Sequence, residues 1–424
     1  RNFLGFGHKI EAGITDRFDD QRNGYTFKYG IPNFKNTFIS TTIGYNKNLE
    51  GFYGTYVDLS RPFYSPLAKW AGGVYIGEQF RREDFNDSPL ILDEQNFKYR
   101  SQDGWGGHAF KIFEGTTEKE RTTNLISSAR LLNVNYQESP SIAYDSIRYF
   151  SSEIFYLGSV GIASRQFIQD SYIFRDGITE DVPIGTVFAI TGGVQYQNKR
   201  RRPYIGVKAS HGNYFSWGYL STNFEYGTYF NGSKAEQSAY SLQANYFTNL
   251  ISLGQKWKLR QFVKPQILIG TNRLNSLGDR LTLNDNNRFP GPYGNEDQRQ
   301  NSAGIPGFNS PLLGTKKFVL SLQTQLYSPW DIMGFRLNPF VNITSGILAN
   351  EGERISKSKV YSAFGVGFIV RNDYLVFSSF QVSFSYYPSI PGQGNDIIDT
   401  NSFSTEDFGF QNFELGKPTP VWYN

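Results

Sequence analysis

From Ser379 to Tyr387 the chain alternates with period two: Phe380, Val382, Phe384 and Tyr386 are apolar, and Ser379, Gln381, Ser383 and Ser385 are polar. Successive side chains of a strand point to opposite faces, so this stretch predicts a strand with one greasy and one wet side. Lys317–Tyr327 repeats the pattern, with Phe318, Leu320, Leu322 and Leu326 against Ser321, Gln323 and Gln325. So does Tyr240–Tyr246, where Leu242 and Ala244 alternate with Ser241, Gln243 and Asn245. Further strands are predicted over Leu4–Thr15, Tyr25–Asn33, Thr37–Lys47, Phe52–Arg61, Trp70–Phe80, Phe97–Phe113, Thr122–Tyr136, Glu153–Ile168, Gly185–Gln197, Pro203–His211 and Trp217–Phe230. Trp257–Gly270, Phe335–Ser345, Val360–Val370 and Asp407–Gly416 complete the set. The count is 16, or 18 if both members of a middle pair are included, and either number is even, as single-chain outer-membrane barrels require.

Strand length separates two architectures. Strands of soluble sandwiches run about five or six residues, whereas many of these run to about ten, the length that crosses a bilayer at a barrel's tilt. Tyr327–Asp331 and Arg371–Tyr374 read as tight turns, and Arg81–Asn96, Gln137–Ser152, Ala349–Lys359 and Pro388–Glu406 as long polar loops. Short turns on one side and long loops on the other suit a transmembrane barrel. Trp70, Tyr75, Trp217, Trp257 and Trp330 fall near strand ends, as interfacial girdles do. The alternative, a soluble sandwich with an aromatic core, fits the strand lengths less well. The expected fold is therefore all-β: a transmembrane antiparallel β-barrel forming one domain over residues 1–424. Its lumen is expected to be polar rather than packed, lined by Lys9, Glu11, Asp58, Arg260, Lys264, Gln323, Gln325, Arg336, Asn338 and Asn342.

Composition narrows the function classes. The 424 residues are 19% charged and 17% aromatic, with 28 Tyr and 37 Phe, against a usual charged share of about 25%. Mean hydropathy is -0.45, and no apolar run approaches the roughly 18 residues of a membrane-spanning helix. With no cysteine, thiolate chemistry and disulfides are excluded. A net charge of +4 spread along the chain argues against a nucleic-acid surface. Arg1 opens the chain without an initiator Met or signal-peptide pattern, which points to a mature or trimmed piece of something longer.

Three segments carry a family resemblance. "RNFLGFGHKIEAGI" resembles the first barrel strand of the outer-membrane assembly superfamily that contains BamA, TamA and the two-partner secretion translocator FhaC. "YVDLSRPFYSPLAKWAGG" is similar to that family's strand-to-periplasm corner after the fourth strand. "KKFVLSLQTQLYSPWDIMGFRLNPFVNITSG" is similar to the strand pair that follows its long sixth external loop. The order of these degenerate motifs carries the resemblance, which covers the whole chain apart from the middle hairpin and is closest in style to members from Bacteroidota. It implies bacterial outer-membrane localisation, with a periplasmic N-terminal region that this chain lacks.

Residues of about 271–315 would then be the long loop, folded inward. Structureless loops beyond about 12 to 15 residues are uncommon without a job. In the family the tip carries V/I-R-G-F/Y, whose arginine bonds acidic groups on the next two strands. Here the tip reads Ile305-Pro306-Gly307-Phe308, with proline in place of arginine. The resemblance places Gln323 where the family has glutamate and Asn342 where it often has aspartate, so the loop's lumen partners have lost their charge too. An unpaired buried carboxylate is costly, which makes the three changes mutually consistent. The family's seam between first and last strands would join Leu4–Thr15, with Leu4, Gly5, Phe6, Gly7 and Ile10, to a strand within Thr405–Tyr423. Gly5, Gly7 and Gly13 would thin the first strand and ease opening.

Little in the sequence points to catalysis, and no metal or cofactor is expected. His8, His108 and His211 are scattered without an i,i+4 partner. "NKRRRP", Asn198–Pro203, reads as a hairpin tip at lipid headgroups or as a solvated turn. Asp285–Asn287 is oxygen-rich but lacks the spacing of a calcium loop. Gly365 and Gly367 mark a place where another segment approaches the wall. Three non-enzymatic readings stand: an insertase that assembles outer-membrane proteins at its seam, a translocation pore or plugged porin-like channel, and an anchor or accessory subunit of a larger complex. The implied partners are outer-membrane lipids and lipopolysaccharide, client outer-membrane proteins, and accessory lipoproteins or periplasmic subunits.

Overall fold

A computed structural model of the chain describes residues 2–3, 7–17, 21–83, 95–174, 176–254, 256–285, 304–372 and 380–423. Its twenty-one strands form one antiparallel sheet, and all but three short ones span seven residues or more. The long strands are β1 (His8–Arg17), β2 (Arg22–Ile31), β3 (Ser40–Lys47), β4 (Tyr53–Arg61), β5 (Trp70–Glu83) and β6 (Gln95–Lys111). Next come β7 (Thr123–Glu138), β8 (Glu153–Ser171), β9 (Thr179–Gln197), β10 (Arg200–Phe215), β11 (Gly218–Asn231) and β12 (Lys234–Thr248). The last six are β13 (Trp257–Thr271), β14 (Lys316–Tyr327), β15 (Phe335–Ala349), β16 (Val360–Arg371), β17 (Phe380–Ile390) and β18 (Gly394–Thr400). Each pairs with its successor, so the ladder runs unbroken from β1 to β18.

The sheet is inside-out relative to a soluble protein. On β17, Phe380, Val382, Phe384 and Tyr386 are all exposed, whereas Ser383 and Ser385 are buried. The pattern continues laterally, because exposed Val341 lies beside exposed Val366, which lies beside Phe384. Ile190 is likewise flanked by Val160 and Val207. Rows of apolar side chains on the outside of a curled sheet suit lipid and not water.

Contacts between strands far apart in the ladder show the curl. Arg260 of β13 reaches Asp170 of β8 at 2.9 Å, and the Tyr327 hydroxyl of β14 donates to the carbonyls of Tyr172 and Ile173 just beyond β8. The β8–β9 connection thus tucks under the lumen, with Ile173 fully buried.

Two expectations need correction. The lumen is not simply polar: Arg260, Gln323, Gln325, Asn338 and Asn342 are buried as parity predicts, Asp58 and Lys264 are half-buried, and Lys9, Glu11 and Arg336 are exposed. Apolar clusters sit among them, because chain segments enter the lumen and bring rings with them. The second correction concerns the last strand. Asp407–Gly416 is not a strand; Gly394–Thr400 takes that place, and residues beyond it run irregularly into the lumen. Pro418 and Pro420 cannot donate to a ladder, and Phe403, Phe408 and Phe413, five residues apart, would fall on alternate faces of a strand.

Val366→Arg, at the centre of the outward apolar rows, should lower the stability of the barrel in lipid vesicles by about 2–4 kcal/mol. Urea titration followed by heat-modifiable gel mobility reads this directly. A change near zero would mean that the face is wetted.

Candidate functional site

The lumen holds two occupants, the long loop and the C-terminal tail. The loop leaves β13 and is pinned at Asp279, fully buried, which accepts from Arg273, from Gln237 Nε2 at 2.9 Å and from the Leu274 amide at 2.6 Å. Burial pushes the Asp279 carboxyl above the usual carboxylate range, and the Arg273 guanidinium and the hydrogen bonds oppose that shift. Further along, Leu281 and Gly314 bond each other's backbone in both directions, at 2.8 and 3.0 Å. The Ile305 amide then donates to the Leu283 carbonyl at 2.9 Å, and the Asn284 side chain exchanges bonds with Ser310 at 2.8 and 3.0 Å. These bonds fold the loop back on itself and carry its tip inward.

At the tip, Ile305 and Phe308 are fully buried against Val319 of β14, Phe340 of β15, Ala363 and Ile369 of β16, and Tyr387 and Ile390 of β17. Pro306 and Gly307 are half-buried. The Tyr387 hydroxyl donates to the Pro306 carbonyl at 2.8 Å. Gly307 has φ +69°, and a Cβ there would overlap the Tyr387 hydroxyl and crowd Ser402, so both conformation and space require glycine. The loop tip is therefore an apolar peg whose backbone also accepts a hydrogen bond from the wall at Tyr387, with no charged group at Pro306.

Gln323 and Asn342 face the lumen side by side, cross-strand neighbours with Asn342 Nδ2 donating to Gln323 Oε1 at 3.3 Å. Their further bonds run to Thr344 and, from Gln323 Nε2 at 3.4 Å, to the carbonyl of Thr405. The partner of this pair is thus the tail. A proline carries no donor for them, and the amide pair satisfies itself locally.

The tail, residues 401–423, is a lumen element that the period-two pattern does not reveal. Its Phe403 ring occupies the hollow left by Gly365, where a Cβ would overlap it. Thr405, fully buried, exchanges hydrogen bonds with Gln381 and donates to the Phe174 carbonyl. Phe408 packs edge-on against Phe262 of β13, 5.0 Å between centroids, while Lys264 Nζ donates to its carbonyl. Phe413 fills the hollow of Gly212 and Tyr423 that of Gly270, while the hollow of Gly227 holds the Tyr204 hydroxyl of β10 with Val421 beside it. Glu414 pairs with Arg165 of β8 at 3.0 Å. Lys417 Nζ lies 2.7 Å from Asp103 of β6, which Arg130 of β7 grips through two bonds of 2.8 and 2.7 Å while donating to the Pro418 carbonyl at 3.0 Å. Tyr423 ends the path, its hydroxyl donating to the Thr315 carbonyl at the base of the loop and its ring lying under the Arg273 guanidinium.

Signals for this cluster exist in the sequence. Asp103 and Arg130 are opposite charges in the middle of consecutive strands, on the lumen parity of each. The lumen-side glycines of β10, β11, β13 and β16 are four more such signals. A buried bidentate pair needs its remaining hydrogen-bond capacity met, and the tail meets it.

The seam differs from expectation as well. Leu4, Gly5 and Phe6 lie outside the described residues. Gly7 is a turn residue with φ +77°, and Asn2–Phe3 folds back to pair with His8 and Lys9 on β1, so the first strand begins at His8. Ile10 is on β1, exposed. Among the described residues β1 and β18 do not pair with each other. The histidines stand apart: His8 bonds Tyr29, His211 bonds Thr186, and His108 stacks edge-on with Trp70.

Gly307→Ala should destabilise the loop tip by about 1–3 kcal/mol through its left-handed backbone. Faster tryptic cleavage in the loop reads this, and unchanged protection would mean that the tip is not anchored at Tyr387.

No protein-family model matches the chain, and no curated protein matches it in sequence. Solved structures with a similar course include BamA from Haemophilus ducreyi lacking POTRA domains 1–3, at 12% identity and a TM-score of 0.39, covering 93% of this chain and 74% of that one. CdiB from Acinetobacter baumannii is similar at 10% identity and TM-score 0.41, covering 94% of this chain and 65% of its own. CdiB from Escherichia coli is similar at 11% identity and TM-score 0.41, with 92% and 66% covered, so this chain spans slightly less than two thirds of either CdiB.

Proposed function

We propose that this chain is an outer-membrane barrel that assembles client outer-membrane proteins at the gap between β1 and β18. The observation that carries the reading is the position of that gap: in a ladder otherwise continuous from strand to strand, β1 and β18 do not pair with each other among the described residues, and Asn2–Phe3 covers the outer edge of β1 only at His8 and Lys9. An unpaired edge is a template for β-augmentation by an incoming strand. The outward apolar rows place such an edge in lipid, where an unsatisfied backbone group costs several kcal/mol and a client strand would satisfy it. The sequence resemblance to the assembly superfamily supports the same reading, as do the partners it implies.

Because the chain has no native cysteine, an engineered pair is unambiguous. Glu11→Cys on β1 with Ile397→Cys on β18, oxidised in vesicles, should cut assembly of a reporter β-barrel at least tenfold, and reductant should restore it. Equal rates in the oxidised and reduced protein would end the proposal.

A second reading, a plugged channel, is favoured by the two occupants of the lumen. Deletion of residues 301–313 then raises planar-bilayer conductance several-fold, whereas an insertase with a tail-filled lumen keeps a low conductance.

A further inference from the structure

The tail is docked in the lumen, and the manner of docking distinguishes it from a core. A core segment is packed on all sides. This segment has a cavity of about 480 Å³ along one flank, lined on the wall side by Asp58, Lys208, Glu225 and Lys264 and on the tail side by residues from Phe408 to Trp422. Space bordered by that many charged groups holds water. The tail is thus held at separate points across a wet lumen: Thr405 on β17, Phe413 in a glycine hollow of β10, Glu414 on Arg165, Lys417 on Asp103, and Tyr423 on the loop base.

These anchors share two properties. Each is small and chemically complete by itself, so one can release without unpacking the next. When the tail leaves, Asp103 keeps the bidentate grip of Arg130, and the bonds that Lys417 and the Pro418 carbonyl supply pass to the water of the cavity that Asp103 borders. The wall was not built around the tail as a strand neighbour; it offers a track of hollows and charges that the tail fits. A buried ion pair adds little net stability over an apolar contact, and its best-attested use is to set register or to switch.

We propose that residues 401–423 are a removable internal plug, seated in a lumen track that binds an extended polypeptide with aromatic rings five residues apart followed by an acid and a cation, and caught by Lys417 on Asp103. The proposal is independent of whether the β1–β18 gap admits clients. The tail continues directly from β18, so its seating also fixes the edge that borders the gap.

Val421→Cys, the single thiol in an otherwise cysteine-free chain, reports seating in the full-length protein in detergent or vesicles. Its reaction with a bulky maleimide is expected to be slow in the parent background and at least tenfold faster after Lys417→Met. Excess free peptide of residues 401–424 is expected to accelerate labelling without any wall substitution, and a scrambled peptide is not. Retained heat-modifiability certifies that each protein is folded, and Glu414→Gln provides a second anchor variant should Lys417→Met fail to fold. Fast labelling in the parent, or slow labelling that neither anchor variant nor peptide changes, overturns the plug.

Discussion

Everything in this molecule follows from the demand that a strand-only membrane span leave no backbone polar group facing lipid. Helices meet that demand one at a time, whereas strands meet it only collectively, by closing a ladder. Among the described residues this ladder is complete through β18, and β18 does not pair with β1. The curl of the sheet must therefore be held by something besides the ladder, and it is held from inside. The floor formed by the β8–β9 connection ties β8 to β13 and β14. The tail ties β16 and β17 to β6 and β7, strands nine to eleven places apart in the ladder.

The interior is organised by exchange of roles between polar and apolar groups. Where the backbone of a crossing segment comes close, the strands present serine and glutamine that bond it, as Gln381 and Ser383 of β17 and Gln323 of β14 do with the tail. Where a segment crosses, glycine opens a hollow and a ring fills it. The loop tip uses the first kind of wall sparingly and the second heavily, since Ile305 and Phe308 enter an apolar cluster with one hydrogen bond from Tyr387. Around Pro306 the tip is thus held by packing and not by charge.

Much of the fold was legible because period two is a geometric necessity of a half-buried strand. Phe380 through Tyr386 and Lys317 through Tyr327 appear where alternation puts them, with the apolar side outward. Gly365 was correctly read as a site of close approach, although not which segment approaches. The tail escaped because irregular docked chain has no period, and because Phe408-Gly-Phe410 resembles a strand locally. Its true partners are set by tertiary register, which local pattern does not contain. The first strand starts later than its pattern implies for a related reason: Gly7 lies in a left-handed turn, and Asn2–Phe3 pairs back on His8 and Lys9.

The glycine hollows have a consequence for how this chain can change over time. A wall glycine and the ring above it form a size-matched couple: enlarging the first evicts the second, and shrinking the second leaves a void. Without the segment after β18, Gly212, Gly270 and Gly365 would lose the ring that holds each of them small, whereas Gly227 would still face the Tyr204 hydroxyl of the wall. The smallness of three scattered residues inside the barrel is thereby tied to the presence of its far end.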